Sequence, residues 1–259
     1  MNLDGELKVA KKVAIELGKI QMNSFRKKLR IIRKTQKDFV SNIDMECQER
    51  AFKILNSEFN YDILSEEKRD NHKSKSDFYW VLDPIDGTHN YISGLPFFGS
   101  SIGLMHKKKF VLGVVFLPYF NELYHAKKGS GAYLNNEKIN VSSNVTLEKS
   151  MVMYDNQFHL DSNSFDFYKN LVNNTFTTRI SGSAVYDSCL VASGRIDARI
   201  FNNTKSFDIA ASVAIISEAG GNVTDFDGDK IDIDAKKVII SNGLVHDQIL
   251  NLQKANFKL

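Results

Sequence analysis

The chain has 259 residues and is 42% hydrophobic, enough to bury a sizeable core and too apolar for a disordered protein. Lysine plus arginine number 34 against 31 aspartate plus glutamate, and a net charge of +3 gives no case for a nucleic-acid-binding protein. The start of the chain has no uninterrupted apolar run, and Cys47 and Cys189 match no metal spacing. No membrane span, buried thiols in a reducing compartment and a cytoplasmic location are therefore expected.

Leu3, Leu7, Ala10, Val13, Ala14, Leu17 and Ile20 recur at three- and four-residue steps, which predicts an amphipathic helix running to about Phe25. Residues 26–37 are basic, with Leu29, Ile31 and Ile32 marking a short strand. A solvated connector is a better reading there than a surface for nucleic acid or an acidic partner. Asp44 reads as the N-cap of a helix carrying Cys47, Ala51, Ile54 and Leu55. Residues 61–64 form a strand that ends in Ser65-Glu66-Glu67, and the polar run 68–77 reads as a loop.

Trp80-Val81-Leu82 predicts a buried strand ending on Asp83. Pro84, Ile85 and Asp86 follow. Gly87 breaks the strand, and Thr88 reads as the cap of a short helix. Residues 100–105, 110–117 and 122–126 predict strands. With the turn residues Gly129, Gly131 and Asn135-Asn136 they make an antiparallel sheet the expected arrangement. In the second half, strands are expected at 151–153, 198–201 and 237–241, and helices at 165–172, 186–193, 207–218 and 245–252, with Ser206 as one N-cap. Asp225-Phe226-Asp227-Gly228-Asp229 has the wrong order for a calcium loop of the EF-hand type and reads as a solvated hairpin turn. There is no internal repeat. The one candidate seam, at 142–150, divides the chain into residues 1–145, carrying the metal-binding motifs, and 146–259. The alternation predicts an α/β (α+β) protein with mixed, partly antiparallel sheets between helix layers.

The chemistry concentrates at Asp83 and Asp86. Two carboxylates at a strand end repel one another and lose solvation, and a hard divalent cation removes that cost. The Ile85 carbonyl can turn toward the same ion. Gly87 and Thr88 can offer backbone N–H groups to an anion at the start of the following helix. Metal beside phosphate is the natural reading. An aspartyl-phosphate phosphatase is the rival, but its D-x-D-G-T motif has one residue fewer between the aspartates and lies near the N-terminus.

W-V-L-D-P-I-D-G-T (80–88) resembles the metal-binding signature of the inositol monophosphatase family, and F-D-I-A-A-x-x-x-I-x-x-E-A-G-G (207–221) resembles its second signature. Asp38-Phe39-Val40-Ser41-Asn42-Ile43-Asp44 is similar to the family's entry to the second helix. The resemblance covers nearly the whole chain. It implies α-β-α-β-α layers, a homodimer, lithium sensitivity and Mg²⁺-dependent hydrolysis of a small phosphorylated metabolite with two or three ions.

Carried over residue by residue, Glu66, Asp83 and the Ile85 carbonyl would bind one ion. A second would share Asp83 and use Asp86 and Asp208, and Asp44 stands near a third. Thr88, backed by Glu66 or Glu67, would orient the attacking water, and Asp86, Gly182, Ser183 and Ala184 would meet the substrate. Phe207 replaces the family's Trp and is expected only to pack. The inositol-specific pattern places a Glu seven residues before Asp208, where this chain has Phe201. Substrates with a further phosphate, which Lys205 could meet, are therefore expected above inositol 1-phosphate, with Phe201→Glu narrowing the gap. Fructose 1,6-bisphosphate, NADP, 3′-phosphoadenosine 5′-phosphate and histidinol phosphate are the alternatives, and a regulatory binding module for protein or RNA machinery is the reading from another class.

Overall fold

The computed structural model describes residues 1–35, 38–66, 76–161 and 163–256. The first half runs α1 (Asp4–Ser24), β1 (Ile31–Thr35), β2 (Asp38–Ser41), α2 (Asn42–Glu58), β3 (Asp62–Ser65), β4 (Phe78–Asp86), α3 (Thr88–Ile92), β5 (Gly99–His106), β6 (Lys109–Leu117), β7 (Glu122–Lys127), β8 (Ala132–Leu134) and β9 (Glu137–Ile139). The second runs β10 (Met151–Tyr154), α4 (Asn163–Asn174), β11 (Thr177–Arg179), α5 (Ala184–Ala192), β12 (Ala198–Phe201), α6 (Ser206–Glu218), β13 (Asn222–Thr224), β14 (Val238–Ser241) and α7 (His246–Asn256).

Strands β3 to β9 form one sheet in chain order, antiparallel apart from the parallel β3–β4 pair. A second sheet has the order β11-β10-β12-β14-β13 and mixes parallel and antiparallel pairs. Helices α1 and α2 cover the outer face of the first sheet, α5 and α6 lie between the sheets, and α4 and α7 cover the far side. These are the five expected layers. Among the described residues no helix is long and apolar enough to cross a membrane.

Close approach of backbones sets the layer spacing. A Cβ on Gly18 of α1 would lie 2.4 Å from the Phe116 ring of β6, so the helix sits directly on that strand. A Cβ on Gly113 of β6 would lie 2.2 Å from the Ala211 carbonyl oxygen of α6, and one on Gly103 of β5 would lie 2.7 Å from Ala210. Helix α6 is apolar nearly all round, with Phe207 and every residue from Ile209 to Ile216 buried, because both its faces meet sheets. At its C-terminal end the Glu218 carboxylate accepts three backbone N–H bonds from Gly129, Ser130 and Gly131 of the β7–β8 turn, at 2.7, 3.0 and 2.7 Å.

Several local expectations need correcting. The strand does not stop at Asp83: β4 continues to Asp86 through a bulge. Ser41, not Asp44, is the N-cap of α2, and Asp44 closes the reciprocal capping box from the third helical position. Gly87, not Thr88, precedes α3, in the left-handed region at φ 79°. Lys205, not Ser206, precedes α6. The short strands β2, β11 and β13 had no clear alternating pattern to announce them. Residues 225–229 do form a turn, tied by the Asp225 side chain to the backbone N–H groups of Asp227 and Asp229. Both cysteines are free and buried.

Candidate metal centre and active site

The β4 bulge brings the first two acids together. Asp83 pairs with Ser101 and Asp86 with Gly99, so three steps on β4 match two on β5. The extra residue turns successive side chains that would alternate across a sheet toward one place. Asp208 arrives from the other half of the chain, in the first turn of α6. One carboxylate oxygen from each of Asp83, Asp86 and Asp208 lies within 4.8 Å of the others. The close seat of α6 on Gly103 and Gly113, and a 3.3 Å bond from the Ser101 hydroxyl to the Phe207 carbonyl, fix where Asp208 stands.

Each acid is held by its surroundings. Asp83 Oδ1 accepts the N–H of Ile85 at 3.0 Å. Asp86 accepts the hydroxyl of Ser183 and the N–H groups of Ala184 and Val185, both at 3.2 Å, so it is seated at the N-terminus of α5. Asp208 accepts the Lys205 N–H at 2.9 Å and the Thr204 hydroxyl at 3.2 Å. Burial nevertheless dominates. It pushes the Asp86 carboxyl up to about 6 despite those three donors. Burial and the charges of Asp86 and Glu66 push Asp208 up to about 7. Burial and the charges of Glu66, Asp86, Asp208 and Asp44 raise Asp83 well above the ordinary range. This donor set is all oxygen and carries excess negative charge, which fits a hard divalent cation.

Glu66 stands at the rim, its Oε1 3.3 Å from the ammonium of Lys205. Lys205 also lies 5.3 Å from the Phe207 ring centre, and Phe207 packs with Val81, Met105 and Ala210 as expected. Glu67 lies outside the described residues, as does most of the expected loop 68–77. The partner found for Thr88 is Asp44: the Thr88 hydroxyl lies 3.0 Å from Asp44 Oδ1 and 2.9 Å from the Ile85 carbonyl oxygen. Asp44 is itself 1% exposed and takes the N–H and hydroxyl of Ser41 on its other oxygen. Burial raises its pKa.

The residues expected to meet the substrate are tied into the site in different ways. The Ser183 hydroxyl and the Ala184 N–H are both directed at Asp86. Gly182, at φ 81°, makes the turn between them and Ser181, and Asn90 ties that turn to α3 by donating to the carbonyls of Phe97 and Ser181 at 2.8 and 3.0 Å. Phe201 is 2% exposed and packs in the central core, with the Arg199 guanidinium 4.5 Å from its ring. Arg199 in turn faces Asp187, at 3.1 Å. Phe201 therefore lines no open surface, and a glutamate there would be buried beside an existing ion pair. Phe201→Glu would therefore disturb the core and not, as expected from the sequence, retune substrate choice. The next residue, Asn202, has its side chain bonded to Asp155 and Tyr154.

Sequence reasoning missed the hydrogen bond from Thr88 to Asp44 and the 2.8 Å bond that the Gln21 side chain in α1 donates to the Pro84 carbonyl. The S-x-x-D spacing of Ser41 and Asp44 was a readable capping signal. Neither tertiary contact had one.

A family model described as "Inositol monophosphatase family" matches residues 2–257. A protein of Aquifex aeolicus named fructose-1,6-bisphosphatase/inositol-1-monophosphatase is 35% identical over 98% of this chain and 97% of its own. A protein of Pasteurella multocida named Nus factor SuhB is 32% identical over 95% of this chain and 94% of its own. The solved structure of an IMPase from Thermotoga maritima superposes with a TM-score of 0.89 at 33% identity, covering 98% of each chain.

Proposed function

The chain belongs to the inositol monophosphatase family and is a phosphoric monoester hydrolase; on that premise we propose that it is a Mg²⁺-dependent phosphatase whose ions are held by Asp83, Asp86, Asp208, Glu66 and the Ile85 carbonyl. The observation that carries this is the convergence of three buried carboxylates within 4.8 Å from two distant segments. Bound there, Mg²⁺ would acidify a water and neutralise charge on the leaving oxygen.

The chain's own groups supply the rest. Thr88 donates its one hydroxyl proton toward Asp44 or Ile85, which leaves its lone pairs free to accept a proton from water. Asp44, with its raised pKa, is the group to which that proton passes. The water oxygen attacks phosphorus as the ester P–O bond breaks, and no residue becomes phosphorylated. The N–H groups of Gly87 and Thr88 would hold the phosphate, with the Gly182-Ser183-Ala184 turn beside it. Lithium would compete with Mg²⁺ where Asp208 and Asp86 meet.

For substrate, we favour a phosphate monoester with a second anionic group, met by Lys205 at the rim. The relatives named as both fructose-1,6-bisphosphatase and inositol-1-monophosphatase support this reading. The test compares kcat/KM for fructose 1,6-bisphosphate and inositol 1-phosphate, with Mg²⁺ and with chelator. The bisphosphate is expected to be preferred, and Lys205→Ala to remove the preference. Equal turnover without metal would sink the metal reading; a preference for inositol 1-phosphate would sink the substrate reading alone.

A homodimer is proposed through the aromatic face where Tyr119 and Phe120, 44% and 38% exposed, pack edge-on and Phe120 stacks on Tyr186. Sedimentation of the Phe120→Asp variant as a monomer is the expected result. A second role as a binding protein is favoured by the relatives named Nus factor SuhB and by Ile31 and Ile32, 46% and 52% exposed in a basic hairpin. It predicts partner binding that survives Asp86→Asn.

A further inference from the structure

The bulge at Asp83-Pro84-Ile85-Asp86 leaves backbone groups without ladder partners. Pro84 has no N–H. The Ile85 N–H is taken by Asp83, and the Ile85 carbonyl by Thr88. That leaves the Pro84 carbonyl, which is buried and must find a donor. Its donor comes from another layer: Gln21, in the last turns of α1, gives it Nε2–H at 2.8 Å. Gln21 is fully buried. Its own backbone carbonyl accepts the Tyr91 hydroxyl at 2.7 Å, and Tyr91 belongs to α3, the helix that begins at Thr88. One residue thus joins α1, the bulge and α3.

We propose that Gln21 is a positioning residue of the metal centre: it fixes the Pro84 peptide, and with it the relative aim of Asp83, Asp86 and the Ile85 carbonyl. It touches no reacting atom. Stability alone does not account for it, because its Oε1 is buried with no hydrogen-bond partner among the described residues. An orphaned amide oxygen is costly, so the glutamine is a poor way merely to fill an apolar helix–sheet interface. What it does supply is a donor aimed at one carbonyl between two proposed ligands. Strand, helix and bulge are then locked in one arrangement. Loss of the donor frees the Pro84 peptide to rotate, and the carboxylates on either side of it rotate too.

The proposal rests on the metal reading above, and its test separates the two. Wild type, Gln21→Met, Gln21→Glu and Tyr91→Phe are titrated with Tb³⁺, followed by luminescence, and assayed for kcat, KM and thermal midpoint. Gln21→Met keeps the length of the side chain and removes the donor. It is expected to weaken Tb³⁺ binding about tenfold, the lower end for removing a bond that orients metal ligands, and to lower kcat with KM nearly unchanged. Gln21→Glu donates to Pro84 only while protonated. It should bind Tb³⁺ like wild type at low pH and fall behind it as pH rises. Tyr91→Phe, which spares the side-chain amide, is expected to give a smaller loss of the same kind. Should Gln21→Met fail to fold, the pH-dependent gap between Gln21→Glu and wild type decides. Variants that lose thermal midpoint but keep Tb³⁺ affinity and kcat overturn the proposal and leave the metal reading standing. A wild type that binds no Tb³⁺ overturns both.

Discussion

Asp86 is where the halves of the site are tied together. It leaves the β4 bulge, takes its donors from α5 and lies beside Asp208 of α6. Asp86→Asn is expected to lower kcat by at least ~10³-fold, the scale of losing metal-based charge stabilisation in the transition state. The fold should survive, since one of several crowded charges has gone. Near wild-type turnover at saturating Mg²⁺ would refute the ligand assignment. Thr88 and Asp44, bonded to one another, are the proposed proton-handling pair. Thr88→Val should lower kcat about 10²-fold or more with KM little changed, and Asp44→Asn by a similar factor. The double variant should be no worse than the poorer single one, because the two act as a unit. Additive losses would mean that Asp44 serves Ser41 and the helix cap alone.

Helix α6 carries Asp208 at one end and is clamped at the other. Three backbone N–H groups on one Glu218 carboxylate make that clamp, and bonds to a charged group contribute about 1.5–3 kcal/mol each at most. Glu218→Ala is expected to cost about 2–3 kcal/mol in denaturant unfolding, because a partly exposed site recovers some bonds to water. Gly113→Ala attacks the same helix from its flank. Its methyl would fall on the Ala211 carbonyl, so α6 must lift from β6 or the sheet must yield. Lower stability together with weakened metal binding is the expected pair of effects, since Asp208 moves with the helix. Stability loss with unchanged metal affinity would show that α6 is not the rigid carrier of Asp208.

At the scale of the molecule, the acid cluster couples folding to pH and to metal. Asp86 and Asp208, held at about 6 and about 7 against an ordinary 3.8, bind protons more tightly in the folded than in the unfolded chain. A raised carboxyl favours the folded state below its unfolded pKa, and that contribution is lost as pH climbs through the folded pKa. Metal-free protein should therefore lose thermal stability between about pH 4 and pH 7, by the direction of these two shifts. Saturating Mg²⁺ should remove most of that loss, because the cation replaces the protons. Parallel stability profiles with and without Mg²⁺ would argue that no ion binds at this cluster.

Periodicity and turn residues in the sequence sufficed for the long helices, for the antiparallel run from β5 to β7 and for the strand at Trp80. Each of these is a local pattern repeated over many residues. The motif at Asp83 and Asp86 was legible for the same reason: its residues are neighbours in the chain. Asp208 could be joined to them only by resemblance, since its first-turn position is also what an isolated helix would favour. The tertiary structure decided what depends on contact between distant segments. It placed Thr88 against Asp44, aimed Ser183 and Ala184 at Asp86, buried Phe201 under Arg199 and set Gln21 against Pro84. Apart from that of Phe201 with Arg199, two residues away on the same strand, each pairing satisfies a polar group with a partner many residues away. Sequence spacing carries no record of which partner that is.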